Sequence, residues 1–128
     1  MPDNRRELIK YRLESARERL NSAVLLASKS YKDSIGRSYY AMFTAVRALL
    51  AKDGVDYSKH AGVISYFQRE YIKTQKFEKK YSKYLSQAFQ IRNNTDYADF
   101  FVVSFEDARE QADRAKEFLT AIEEFLKA

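Results

Sequence analysis

The stretch Phe77-Glu78-Lys79-Lys80-Tyr81-Ser82-Lys83-Tyr84-Leu85-Ser86-Gln87-Ala88-Phe89-Gln90-Ile91 decides how this chain folds. Its apolar positions Phe77, Tyr81, Tyr84, Ala88 and Ile91 recur in alternating steps of four and three, the signature of one face of an α-helix. Leu85 and Phe89 widen that face into an arc. At about 100° per residue, Arg92 falls inside the arc next to Leu85 rather than opposite it. An isolated guanidinium in apolar surroundings is too costly, so Arg92 must pair or bind an anion. The next residues, Asn93-Asn94-Thr95-Asp96-Tyr97, read as a polar cluster that ends the helix.

The same period runs outward in both directions. Ile9, Leu13, Ala16, Leu20, Ala23 and Ala27 mark a first helix of about 25 residues, broken at Lys29-Ser30-Tyr31-Lys32. Ile35, Tyr39, Met42, Val46 and Leu49 mark a second, which ends near Asp53-Gly54, where glycine can take the left-handed cap. A shorter third helix surrounds Ala61, Ile64, Phe67 and Tyr71, and the fourth is the segment quoted above. After a loop around residues 96–103, Ser104 and Asp107 form a variant capping box. It opens a fifth helix through Phe105, Ala108, Ala112, Ala115, Leu119, Ile122 and Leu126. No strand period competes. Four long helices and one short one, joined by brief loops, predict a single all-α domain over residues 1–128, an antiparallel up-and-down bundle.

Composition narrows the chemistry. The chain has 128 residues, no cysteine and one histidine, so thiolate chemistry is excluded and a zinc site from this chain alone is not expected. No apolar run approaches the roughly 20 residues of a membrane span, and the N-terminus lacks the apolar stretch of a signal peptide. We expect a cytoplasmic protein without cofactor or metal. The net charge of +5 is uneven, with twelve Lys/Arg against seven Asp/Glu in residues 1–64 but four against seven in residues 101–128. A basic excess of this kind can help attract nucleotides or nucleic acid.

Three places could carry a site. On the side of the second helix away from its apolar stripe lie Arg37, Tyr40, Thr44 and Arg47, a set able to grip a phosphate and stack a base, or to form a solvated or self-association face. Around the turn between the third and fourth helices, Arg69, Lys73, Lys76, Lys79, Lys80 and Lys83 face only Glu70 and Glu78. The interleaved aromatics Phe77, Tyr81 and Tyr84 are claimed by the core period, which leaves these cations as a solvated rim useful for steering. Finally, Arg92 and Asp96 are four apart and can pair along the helix. His60 opens the third helix, and nothing in the spacing places it near Arg92. Carboxylate clusters with metal spacing, glycine-rich phosphate loops and nucleophile elbows are missing.

Arg37-Ser38-Tyr39-Tyr40-Ala41-Met42-Phe43 with Val46-Arg47-Ala48-Leu49-Leu50, then His60-Ala61-Gly62-Val63, then Ile91 to Tyr97 resemble the small prokaryotic branch of the HEPN family, the higher eukaryote and prokaryote nucleotide-binding domain. The resemblance spans almost the whole chain. It implies an antiparallel helical bundle that forms a homodimer and accompanies a minimal nucleotidyltransferase in pairs resembling toxin–antitoxin modules. It also implies a nucleotide- or RNA-binding cleft. Nuclease members of the family carry an Arg, a polar residue and, a few residues later, a His, which together face an RNA phosphate across the dimer. Arg92 and Asn93 match the first half of that motif. Tyr97, Ala98 or Asp99 stands where the His should be, and a tyrosine with a pKa near 10 is a poor base at neutral pH.

The expectation is therefore a non-catalytic HEPN-type homodimer. It would bind a nucleotide, RNA or a nucleotidyltransferase partner through Arg92, Asn93, Asp96, Tyr97, Arg37, Tyr40 and Arg47, with His60 as an accessory. The alternatives are a metal-independent endoribonuclease in which Tyr97, Asp96 or His60 replaces the missing His, and a plain dimeric interaction module.

Overall fold

The structure, a computed structural model, describes residues 2–97 and 101–127; the side chain of Tyr97 also lies outside the described set. Five α-helices account for nearly all of it: α1 (Pro2–Leu26), α2 (Tyr31–Asp53), α3 (His60–Phe67), α4 (Lys79–Tyr97) and α5 (Phe105–Lys127). No strand occurs among the described residues. The all-α bundle read from the periodicity is what forms.

The short break after α1 turns the chain back on itself. The buried Ser34 hydroxyl donates to the Ala23 carbonyl at 2.7 Å, tying the start of α2 to the end of α1. At the other end of α2, Gly54 adopts φ 74°, and its N–H donates to the Ala51 carbonyl at 3.1 Å. A residue with a Cβ is strained there. Ser104 and Asp107 cap α5 reciprocally, each backbone N–H donating to the other's side chain, at 3.0 and 3.1 Å.

Helix α2 is the hub, packed against α1, α4 and α5. Tyr39, Met42, Val46, Leu49 and Leu50 on α2 meet Ala16 and Leu20 of α1 and Ala115, Phe118, Leu119 and Ile122 of α5 in one continuous core. A second, smaller cluster of Ala27, Ile35, Val103 and Ala108 closes the end of the bundle where α1 turns into α2. Because α2 is covered on several sides, its side away from the core is narrower than the sequence suggests: Tyr40, Thr44 and Arg47 are half-buried, and only Arg37 is exposed.

Three helix boundaries differ from the sequence reading. Helix α4 begins at Lys79, not at Phe77, which sits in the preceding turn with its N–H donating to the Tyr71 carbonyl at 3.0 Å. Beyond Phe67 the third helix continues as a π-helical turn, Gln68–Ile72, with the Lys73 N–H donating to the Gln68 carbonyl at 2.8 Å. Helix α4 does not stop at Ile91 but runs through the polar cluster to Tyr97. Its buried positions Tyr81, Leu85, Ala88 and Thr95 keep the four-and-three rhythm only if Arg92 is included in the stripe. Thr95 is buried, and Asp96 pairs back to Arg92, so tertiary contacts override the weak helix propensity of Asn, Thr and Asp.

Candidate functional site

The first turn of α3, the middle of α2 and the last turns of α4 converge on one aromatic cluster. Tyr39, fully buried on α2, brings its hydroxyl to 2.8 Å from His60 Nδ1. The His60 ring stacks on Phe43 at a centroid distance of 4.2 Å and meets Tyr40 edge-on at 5.7 Å. The Arg92 guanidinium lies over both Tyr40, at 5.2 Å, and Tyr39, at 5.9 Å. His60 and Arg92, which no spacing rule connects, thus contact the same two tyrosines.

Arg92 also forms the helical pair allowed by its spacing, Nε to Asp96 Oδ2 at 2.9 Å, with the arginine side chain 20% exposed and the aspartate 42%. A half-exposed carboxylate of this kind contributes little to stability. Asn93 is half-buried next to Arg92 on α4, and Arg37 stands exposed one turn before Tyr40. The structure therefore brings together Tyr40, Arg47, His60, Arg92 and Asp96. It leaves Arg37 at the margin. The Tyr97 side chain, Ala98 and Asp99, the positions where the family's nuclease motif carries its histidine, lie outside the described residues.

Helix α1 supplies two members that the sequence reading missed. Arg12 is almost fully buried and donates from Nη1 to the Arg47 carbonyl at 2.7 Å. Its Nη2 lies 3.5 Å from Asp56 Oδ2, and Arg47 Nη2 lies 3.2 Å from the same oxygen. Arg19 lies over the Tyr40 ring at 5.5 Å. At about 100° per residue Arg12 and Arg19 fall just outside the edge of the α1 stripe, so the test that singles out Arg92 on α4 does not find them.

The electrostatics are lopsided. Three guanidiniums lie against Tyr40 or His60, Arg19 and Arg92 over the Tyr40 ring and Arg47 beside His60, with Arg12 behind Arg47, and two half-exposed carboxylates, Asp56 and Asp96, answer them among the described residues. Burial and the neighbouring Arg47 pull Arg12 below the ordinary arginine value despite Asp56. Burial pushes the Asp56 carboxyl up, but the Tyr57 N–H, Arg47 and Arg12 together hold it below the usual range. The Nε atoms of Arg19 and Arg47 are buried without an acceptor among the described residues. Those two atoms are out of a ligand's reach, but the Arg47 and Arg92 side chains remain 35% and 20% exposed, and their guanidinium groups are where an incoming anion would pair.

His60 is held below its ordinary pKa by burial first, then by Arg92 and Arg47, so it is neutral at pH 7. Burial and the adjacent Tyr40 push the Tyr39 hydroxyl well above the usual tyrosine range, so it keeps its proton. Because Tyr39 is fully buried, an O–H without an acceptor would be costly, and donation to Nδ1 of His60 is the favourable arrangement. The imidazole proton then sits on Nε2. In that tautomer His60 offers a donor, not a lone pair. A shallow cleft of about 350 Å³ beside it is lined by Phe43, Arg47, Asp56, Tyr57, Ser58 and His60. Among the described residues no cluster of metal-ligating side chains forms, and no helix is long and apolar enough to cross a membrane.

A Thermotoga maritima "UPF0332 protein" is 34% identical over 98% of this chain and 96% of its own length. Two Methanocaldococcus jannaschii proteins are also similar. One, named "Putative toxin MJ0142", is 30% identical over 95% of this chain and 83% of its own length. The other, named "Putative toxin MJ0605", is 34% identical over 72% of this chain and 69% of its own. The HEPN domain family profile matches residues 9–125, a span that takes in α2, α3 and α4, most of α1 and α5, and every member of the arginine cluster, and the chain belongs to that family.

Proposed function

We propose that this chain is the HEPN component of a toxin–antitoxin-like module, a homodimer that binds a phosphate-bearing nucleotide or RNA at the arginine cluster without cleaving it. One observation carries the reading: Arg19, Arg47 and Arg92 lie against Tyr40 or His60 with Arg12 behind Arg47, and only two half-exposed carboxylates pair with these four arginines among the described residues. Guanidinium forks match phosphate geometry, and an aromatic face beside them can stack a base. The names of the Methanocaldococcus relatives support the module, and the family resemblance supports a minimal nucleotidyltransferase as the protein partner. Exposed Tyr11, Val24, Leu25 and Val102 are apolar surface that a second copy could cover. Sedimentation should give twice the 15.0 kDa chain mass.

Tautomer and charge argue for binding over turnover. In-line cleavage needs a group to take the 2′-hydroxyl proton, a contribution of about 10²–10⁴-fold. Arginine is always charged and cannot take it. His60 with its proton on Nε2 can donate to a phosphate oxygen but has no lone pair facing the cleft. The test is fluorescence anisotropy with 5′-labelled RNA in EDTA, alongside a gel of the same RNA. Binding should weaken about tenfold or more in Arg47→Ala/Arg92→Ala, equivalent to about 1.4 kcal/mol, while the RNA stays intact. Cleavage that disappears in His60→Ala would overturn the non-catalytic reading in favour of the ribonuclease one.

A further inference from the structure

We propose that the basic basin at the π-helical turn is a second phosphate-contact site, and that one RNA single strand runs to it from the His60 cleft across Tyr57. The inference rests on the reading that the arginine cluster binds RNA, and it names the form of RNA bound. The basin, about 990 Å³ and open to solvent, is lined by Arg69, Lys73, Lys76 and Lys79, with Glu78 as its only lining carboxylate. Among the described residues Lys73, Lys76 and Lys79 form no ion pair, whereas the neighbouring Lys80 is taken by Glu117. The cleft along α5, by contrast, mixes Arg109 and Arg114 with Glu106, Glu110, Asp113 and Glu117.

The backbone of the basin is unusual as well. The π-helical turn carries Arg69, and the loop after it holds Gln75 at φ 63°. Left-handed backbone on a non-glycine residue and isolated π turns both concentrate at functional sites. Arg69, Lys73, Gln75 and Lys76 all line the opening.

Continuity with the first cleft is built from aromatics. Tyr57 lines the His60 cleft and is 40% exposed. Its ring lies 5.8 Å from that of Tyr66, and the Arg69 guanidinium lies over Tyr66 at 5.5 Å. Arg69 in turn lines the basin. From His60 to Lys73 the chain is helical, so at about 1.5 Å per residue the two sites are roughly 20 Å apart. A mononucleotide cannot touch both, but a strand of several nucleotides can. The ridge between them favours a single strand, because Tyr57 can stack an unpaired base, whereas the bases of a duplex are stacked on one another.

The test compares labelled oligouridylates of two and twelve nucleotides, using the full chain in EDTA. The twelve-mer should bind at least about tenfold more tightly than the dinucleotide. Lys73→Glu/Lys79→Glu, on exposed positions, should abolish that gain, leave the dinucleotide unaffected and reduce the slope of log affinity against log salt by about 1.4, the value for two single-strand phosphate contacts. A charge-matched control on the α1–α5 groove, Lys10→Glu/Lys127→Glu, should leave the twelve-mer affinity unchanged. Equal loss in the control would show a net-charge effect and overturn the proposal. So would equal affinity for both lengths, a twelve-base-pair duplex bound as tightly as the single strand, or an unchanged salt slope in the lysine variant. If Arg47→Ala/Arg92→Ala weakens both lengths while the lysine variant changes nothing, the inference fails and the arginine site stands. If the arginine variant changes neither length, the underlying reading fails and takes the inference with it.

Discussion

Two polar clusters lie against α2, one near each end of the α3 region, and they are opposites. At the C-terminal end of α2, Asp53 Oδ2 accepts from the Tyr66 hydroxyl at 2.8 Å and the Tyr71 hydroxyl at 2.6 Å, with Lys52 Nζ at 3.4 Å from the other oxygen. Burial pushes this carboxyl up, yet the hydrogen bonds from Tyr71 and Tyr66, with Lys52 alongside, bring it below the ordinary value. Burial and then Asp53 raise both tyrosines above their usual range. Every group there has its partner. In the middle of α2, by contrast, arginines outnumber carboxylates and buried N–H groups lack acceptors. The closed cluster has its groups matched, while the open one keeps a surplus of positive charge that an anion could answer.

The largest effect is expected in the closed cluster. Asp53→Ala strands two tyrosine hydroxyls, one of them on the almost fully buried Tyr71. Losing hydrogen bonds to a charged acceptor and leaving buried donors unpaired should cost about 3 kcal/mol in denaturant melts, and no added anion should restore it. A loss under about 1 kcal/mol, or rescue by phosphate, would erase the contrast between the clusters.

Asp56→Asn is the matching change in the open cluster, and it should behave differently. It removes the carboxylate shared by Arg12 and Arg47 and should lower stability by about 1 kcal/mol, the scale of a half-exposed ion pair. Phosphate or sulfate should restore that loss, and affinity for RNA should rise, because an internal competitor for the guanidiniums has gone. If Asp56→Asn weakens RNA binding, the carboxylate is positioning the arginines rather than competing for them.

Arg92→Ala should change stability by less than about 1 kcal/mol, since it trades a half-exposed pair and two ring contacts for relief of cationic crowding. Asp96→Ala and the double variant should fall in the same range. A large loss in Arg92→Ala that the double variant restores would make the pair structural and detach Arg92 from binding.

How much of this was legible before the structure depends on the kind of information each feature needs. The helices, the Gly54 cap, the Ser104–Asp107 box and the awkward place of Arg92 follow from local rules of period and capping. The last turn of α4 did not, because Asn93 to Asp96 look like a stop until Thr95 is seen to be buried and Asp96 to pair with Arg92. His60 was read as remote from Arg92 because periodicity says which face of a helix points inward, not which residue of another helix lies opposite. Tyr39 and Tyr40 supply that missing connection. Arg12 and Arg19 were not found that way: each lies at the edge of the α1 stripe, where an arginine is ordinarily solvated, whereas Arg92 lies inside its arc.

The smallest expected effect is the pH dependence carried by His60, and it distinguishes an open cluster from a closed one without any substitution of an arginine. The folded-state pKa of His60 is depressed by burial and by Arg92 and Arg47. Its contribution to stability is therefore complete above the unfolded value near 6.5 and is lost as pH falls through the lower folded value. Melting temperature should decline modestly as pH drops below about 6.5, and His60→Gln should flatten that decline. The depressed carboxylates Asp53 and Asp56 act in a separate window, losing their contribution as pH falls below their unfolded value of about 3.9. A bound phosphate near His60 would favour the imidazolium and raise its pKa, so the decline below pH 6.5 should shrink when RNA is present. A decline that survives in His60→Gln, or that RNA leaves unchanged, would place the titrating group elsewhere and remove His60 from the anion site.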